Sequence, residues 1–125
     1  MSTGRRNPGS ARSRNLNSAS TAQAGVFAAL GDETRLALLH RLCDGRERSI
    51  AELTEGTRLT RQAVTKHLRV LERARLVHGT RAGRESRFRF DQQPVMEMRE
   101  YLESVSRQWD QALARLKLLV ESDAD

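Results

Sequence analysis

The sequence predicts a mainly helical fold with one small β-hairpin, and three observations predict it. Apolar residues recur at helical spacing from Thr60, with Val64, Leu68 and Leu71 at steps of four and three. Residues 76–90 read as two extended segments around Ala82-Gly83, where glycine supplies the positive φ of a tight turn. From Met98 the apolar residues Leu102, Val105, Trp109, Leu113, Leu116 and Val120 follow at steps of 4, 3, 4, 4, 3 and 4, one face of a long helix.

Residues 1–20 are mostly Ser, Asn, Arg, Gly and Ala with only Met1 and Leu16 as larger apolar residues, so they cannot bury surface and are expected to form a disordered basic tail. Its four arginines have no acidic counterweight; an arm along a DNA minor groove and a merely solubilising segment are both open readings. A first helix is expected over Ala22 to Leu30, with Val26, Phe27 and Leu30 apolar. A second begins after Asp32, which can cap it, and carries Leu36, Leu39 and Leu42 until Asp44-Gly45 stops it. In SIAELTEGT, Ser49 is a cap, Glu52 its capping-box partner, and Ile50 and Leu53 buried contacts, which predicts a short helix to Glu55.

Thr57, Arg58 and Leu59 form the turn before the next helix, Arg61 to Ala74, with Leu59 plugging the angle between the two. Arg58 occupies a turn position where helix-turn-helix motifs commonly carry Gly; a left-handed Arg costs about 1 kcal/mol, so a strained or altered turn is expected. The hairpin spans Val77 to Phe90, with Phe88 and Phe90 on the core face and Arg87 and Arg89 on the wet one. A final helix is expected over Val95 to Glu121. The predicted organisation is a tail (1–20), a compact domain (21–93) and a C-terminal helix (94–125).

Charge points to the partner. The chain carries a net +6, yet ten Lys or Arg against two Glu between Arg58 and Arg89 give that stretch +8, leaving −2 for the rest. A basic stretch of this kind suits a polyanion, because Lys and Arg neutralise phosphates and release condensed counterions. Thr60 can cap the fourth helix and place Arg61, Gln62, Thr65 and Lys66 in its first two turns, where a recognition helix meets base edges. Arg can bond guanine and Gln adenine in bidentate fashion, and a Thr methyl can touch thymine. Lys66 and Arg69, with Arg81, Arg84 and Arg87 on the hairpin, suit phosphates.

The run from Val26 to Phe90 resembles the winged helix-turn-helix of the ArsR-type transcriptional repressors. In that family Asp-x-Thr-Arg opens the second helix and Ala-Val-[Ser/Thr]-x-His-Leu marks the recognition helix. Here Asp32, Thr34 and Arg35 match the first motif, and Ala63, Val64, Thr65, His67 and Leu68 the second, in the same order. The C-terminal stripe, with Trp109-Asp110 followed by Leu113-Ala114-Arg115-Leu116-Lys117, is similar to regulators neighbouring START-like, AHSA-type proteins. The resemblance implies a homodimeric repressor on a palindromic operator, paired through its first and last helices. Val26, Phe27, Leu30, Leu102, Val105, Trp109, Leu113 and Leu116 are the expected interface. Metal-sensing members carry paired Cys before the turn or Asp and His ligands on the last helix; this chain has neither, so no metal and no cofactor are expected.

Other function classes are disfavoured. No Gly-rich phosphate loop or nucleophile–base arrangement suggests an enzyme, and RNA stacking would want exposed aromatics. No apolar run approaches the roughly 20 residues of a membrane span, and one Cys without an export signal makes the cytoplasm the expected compartment. Cys43 is expected to be a small buried apolar residue. His67 is open to two readings, a DNA phosphate contact or packing at the helix junction. The competing function is an architectural or protein-interaction winged helix with weak, non-specific DNA affinity. A small-molecule effector is left open.

Overall fold

The structure, a computed structural model, describes residues 21–123. The expected basic tail, 1–20, lies outside the described residues. Helix α1 occupies residues 21–30, followed by α2 (Glu33–Leu42), β1 (Arg48–Ser49), α3 (Ile50–Thr54), α4 (Arg61–Arg73), β2 (Val77–Ala82), β3 (Glu85–Phe90) and α5 (Gln93–Asp123).

Helices α2 to α5 each start where a short polar side chain satisfies a first-turn N–H that the helix leaves free. Asp32 accepts from the Arg35 amide at 3.0 Å, and Thr60 from the Ala63 amide at 3.1 Å. The capping box is complete: Ser49 Oγ accepts from the Glu52 amide at 3.1 Å, and Glu52 Oε1 accepts from the Ser49 amide at 3.3 Å. These backbone donors hold the carboxyls of Asp32 and Glu52 below their ordinary range. Asp91 does the same for α5: it accepts from the Gln93 amide at 2.9 Å and from His78 Nε2 at 2.7 Å, which ties the helix start to the root of β2.

Two arginines of α2 close the opposite ends of its neighbours, where helix carbonyls lack partners. Arg35 donates to the carbonyls of Ala28 and Ala29 at the end of α1. Arg41 donates to Leu53 and Glu52 at 2.8 and 2.9 Å, and to Glu55 at 3.2 Å, at the end of α3. Between those caps the core closes: Leu38, Leu42, Leu53, Val64, Leu68, Leu71, Leu76 and Val77 are fully buried. Leu36 corrects the expected stripe of α2, being half exposed while Leu38 takes the inward place beside Leu39 and Leu42. Cys43 is exposed rather than buried, because it stands at the C-cap of α2, where the chain leaves the core.

The strain expected at Arg58 lies elsewhere. Gly56 supplies the left-handed residue of the turn, at φ 78°, and Arg58 needs none. Among the described residues the only non-glycine with positive φ is Arg75, at 63°. It sits just past α4, where its amide donates to the Glu72 carbonyl and that of Leu76 to the Leu71 carbonyl, each at 2.9 Å. This is the Schellman ending, whose left-handed residue is usually Gly. Leu71 and Leu76, both fully buried, supply its apolar clasp and offset the cost of a left-handed arginine.

The hairpin carries a third strand that periodicity did not show. The sheet order is β1-β3-β2, all antiparallel, with Arg48 opposite Phe88 and Ser49 opposite Arg87. Two residues are too short for an alternation signal, yet they clamp the wing to the start of α3. The turn is one residue later than expected: Ala82 still pairs with Glu85, leaving Gly83 and Arg84 as the turn, with Gly83 at φ 65°. Gly79 lies opposite Phe88 in the ladder. A Cβ there would come within 3.0 Å of the Phe88 ring and 2.9 Å of Glu72 Oε2, the oxygen that accepts the Gly79 amide.

Gly79→Ala is therefore expected to lower the unfolding free energy by about 1 to 3 kcal/mol through overpacking. Urea titration checks it; an unchanged midpoint would mean that Phe88 and Glu72 move aside without cost.

Candidate nucleic-acid interface

Helix α4 divides cleanly. Val64, Leu68 and Leu71 are fully buried, which turns Arg61, Gln62, Lys66 and Arg69 outward, and all four are exposed. Thr60 is exposed; its hydroxyl oxygen accepts the Ala63 amide as the cap, which leaves the hydroxyl proton free to donate. Thr65 is half-buried and its hydroxyl donates to the Arg61 carbonyl at 2.7 Å. That back-bond uses the hydroxyl proton and leaves the oxygen as an acceptor and the methyl group for apolar contact.

The wing supplies the second row. Arg81 and Arg84 are exposed, and the shifted turn carries Arg84 to the tip. A cleft of about 360 Å³ opens between α3, the first turns of α4 and this tip, lined among others by Ala51, Arg61, Thr65 and Arg84. Two arginines far apart in sequence thus border one concavity, with their charges on the same side of the domain. Arg87 differs from the other expected phosphate contacts: it is half-buried and paired with Glu85 at 3.3 Å. Its positive charge also helps to hold Glu52 ionised, after the Ser49 hydrogen bonds that act most strongly there.

His67 stands at the helix junction. Its Nδ1 lies 3.5 Å from Arg35 Nη1 and 3.7 Å from Asp32 Oδ2, so α1, α2 and α4 meet at one polar cluster. Asp32 and Arg35 were visible in sequence as motif residues; that they face His67 was not, because 32 residues separate Arg35 from it. The capping task of Arg41 was also missed. A basic residue on a helix reads as solvated until the ends of neighbouring helices are in place.

The expected pairing residues fall into two groups. Val26 is buried inside the chain's own core and Leu30 packs partly against it, which leaves Phe27 as the exposed apolar residue among them. On α5, Val95 and Met98 pack on the core, whereas Leu102, Trp109, Leu113 and Leu116 are exposed, Trp109 at 65%, and Val105 is half-buried. No helix among the described residues is long and apolar enough to cross a membrane.

Known proteins share this arrangement. Residues 30–80 match the helix-turn-helix domain family. The chain is 35% identical over 100 residues to the HTH-type transcriptional regulator Rv2034 of Mycobacterium tuberculosis, covering 80% of this chain and 90% of that protein. It is 40% identical over 76 residues to the HTH-type transcriptional regulator YuzN of Bacillus subtilis, covering 56% of this chain and 83% of that one. Among solved structures, an ArsR-like transcriptional regulator from Rhodococcus sp. RHA1 superposes with a TM-score of 0.71 at 36% identity, over 80% of this chain and 93% of that chain. With the helix-turn-helix, the basic wing and these relatives in agreement, the chain belongs to the ArsR-type winged helix-turn-helix transcriptional regulators.

Proposed function

We propose that the chain is a homodimeric, sequence-specific repressor that binds a palindromic operator, α4 entering the major groove and the wing following the phosphate backbone. The observation that carries this reading is the division of α4: a fully buried apolar face opposite an exposed row of Arg61, Gln62, Lys66 and Arg69, with Arg84 on the same cleft. Arg61 and Gln62 lie in the first turn, where they would read base edges, and Thr65 would offer a methyl group to thymine. Thr60, Lys66, Arg69, Arg81 and Arg84 would hold phosphates and set the register. Such work places the protein with DNA in the cytoplasm.

Dimerisation follows from the exposed apolar residues of α5. Leu102, Trp109, Leu113 and Leu116 recur at helical spacing over more than three turns, and a second copy covers them while supplying the other half-site. Phe27 extends that surface on α1.

Fluorescence anisotropy of the purified chain on its own upstream DNA, against a scrambled duplex across a salt series, tests the reading. Selective binding by orders of magnitude supports a local repressor; equal, salt-labile binding to both supports the architectural alternative. Arg61→Ala or Gln62→Ala is expected to cost about 1 to 3 kcal/mol on the specific site and to relax base preference there. Equal losses on both duplexes would remove the base-reading role.

Arg84→Ala is expected to flatten the salt slope by about one unit, and Arg87→Ala by less, because Glu85 already balances Arg87. Equal slopes for the two variants would contradict that difference. Trp109→Ala is expected to shift the sedimentation of the free protein from dimer to monomer; a persistent dimer would take Trp109 out of the interface.

A further inference from the structure

We propose that Arg35 is a positioning residue for the recognition helix: one guanidinium holds the end of α1 and the imidazole of His67, and so sets the rotation with which α4 meets its operator. The inference rests on the repressor reading above and adds to it a residue that does not face DNA.

Two donor groups of one planar fork are in use, and a third faces an imidazole nitrogen. Nε and Nη2 donate to the carbonyls of Ala29 and Ala28, and Nη1 lies 3.5 Å from His67 Nδ1. With the imidazole neutral and its proton on Nε2, Nδ1 accepts from Arg35. Asp32 completes the cluster, its Oδ2 accepting the Arg35 amide at 3.0 Å while standing 3.7 Å from the same Nδ1. The caps of two helices and a side chain of a third are therefore joined through a single residue.

The position of His67 gives that junction its consequence. It follows Lys66 and precedes Arg69 by two residues on α4, so a small rotation at His67 moves the exposed row. The buried stripe of Val64, Leu68 and Leu71 decides which face is inward, but apolar contact is non-directional and tolerates small rotations. A guanidinium with acceptors on three sides does not. Base-edge recognition depends on such alignment, whereas phosphate attraction is governed by charge. Arg35 thus contributes to selectivity between operator and random duplex, and little to total affinity for DNA.

Lysine keeps the charge but cannot span Ala28, Ala29 and His67 at once. On the full-length chain, Arg35→Lys is expected to weaken binding to its own upstream operator at least about fivefold, with affinity for scrambled duplex and the salt slope unchanged. His67→Ala should act in the same direction, His67→Gln should restore part of the loss because its amide oxygen can accept from Arg35, and the Arg35→Lys/His67→Ala double variant should lose no more than the larger single. Parallel losses on both duplexes, additive singles in the double variant, or no loss in Arg35→Lys would overturn the proposal. Should circular dichroism show Arg35→Lys unfolded, the contrast between His67→Ala and His67→Gln decides: selective loss in Ala with recovery in Gln supports the link, and equal behaviour overturns it. A wild type that does not prefer its operator would instead refute the repressor reading, an outcome separate from any variant.

Discussion

Everything in this domain depends on how helix ends find partners. Each helix leaves four N–H groups and four carbonyls free, and α3, five residues long, is mostly ends. Its first turn is closed by the Ser49–Glu52 box and its last by Arg41 reaching across from α2. Arg35, six residues earlier on α2, does the same for α1. Helix α2 therefore serves as a brace whose two guanidiniums hold its neighbours in place, while Leu38, Leu39 and Leu42 bury its other face in the core. Without those polar closures, the apolar core would still favour collapse but would leave the angle between α3 and α4 poorly determined.

The geometry of the proposed DNA-facing surface inherits that angle. Arg61 stands one residue past the Thr60 cap, and Arg84 reaches the same cleft only because the wing is fastened at both sides. On one side β1 pairs with β3; on the other, Glu72 of α4 accepts the amide of Gly79 in β2. Gly79 has no room for a Cβ between the Phe88 ring and Glu72 Oε2, and its bare backbone lets the carboxylate from α4 reach its amide. A wing held this way presents its arginines at a fixed distance from the helix, a geometric condition for meeting base edges and backbone in one register.

Much of the fold was legible in residues 49–90. The capping box, the Thr60 cap and the Val64, Leu68, Leu71 stripe are local signals, and each appears where the spacing puts it. The departures share a cause: they depend on residues distant in sequence. Strand β1 exists because Ser49 meets Arg87, and nothing in a two-residue segment announces that. Cys43 looks like a core residue until the end of α2 is seen to carry it outward. Arg58 looks strained until Gly56 takes the left-handed place and Arg75, at the end of α4, takes the strain.

The sequence by itself determined the order of the helices and the hairpin, the inward face of α4, and a basic stretch suited to a polyanion, because caps, periodicity and charge act over a few residues. Only the tertiary structure decided which arginines are left open to solvent and which are committed inside the protein. Arg35 and Arg41 close helix ends, Arg87 is balanced by Glu85, and Arg61 and Arg84 share an open cleft. A charged side chain is the same in sequence whether it faces solvent or a carbonyl. What distinguishes the cases is the set of acceptors brought within about 3 Å by folding, and that set comes from elsewhere in the chain.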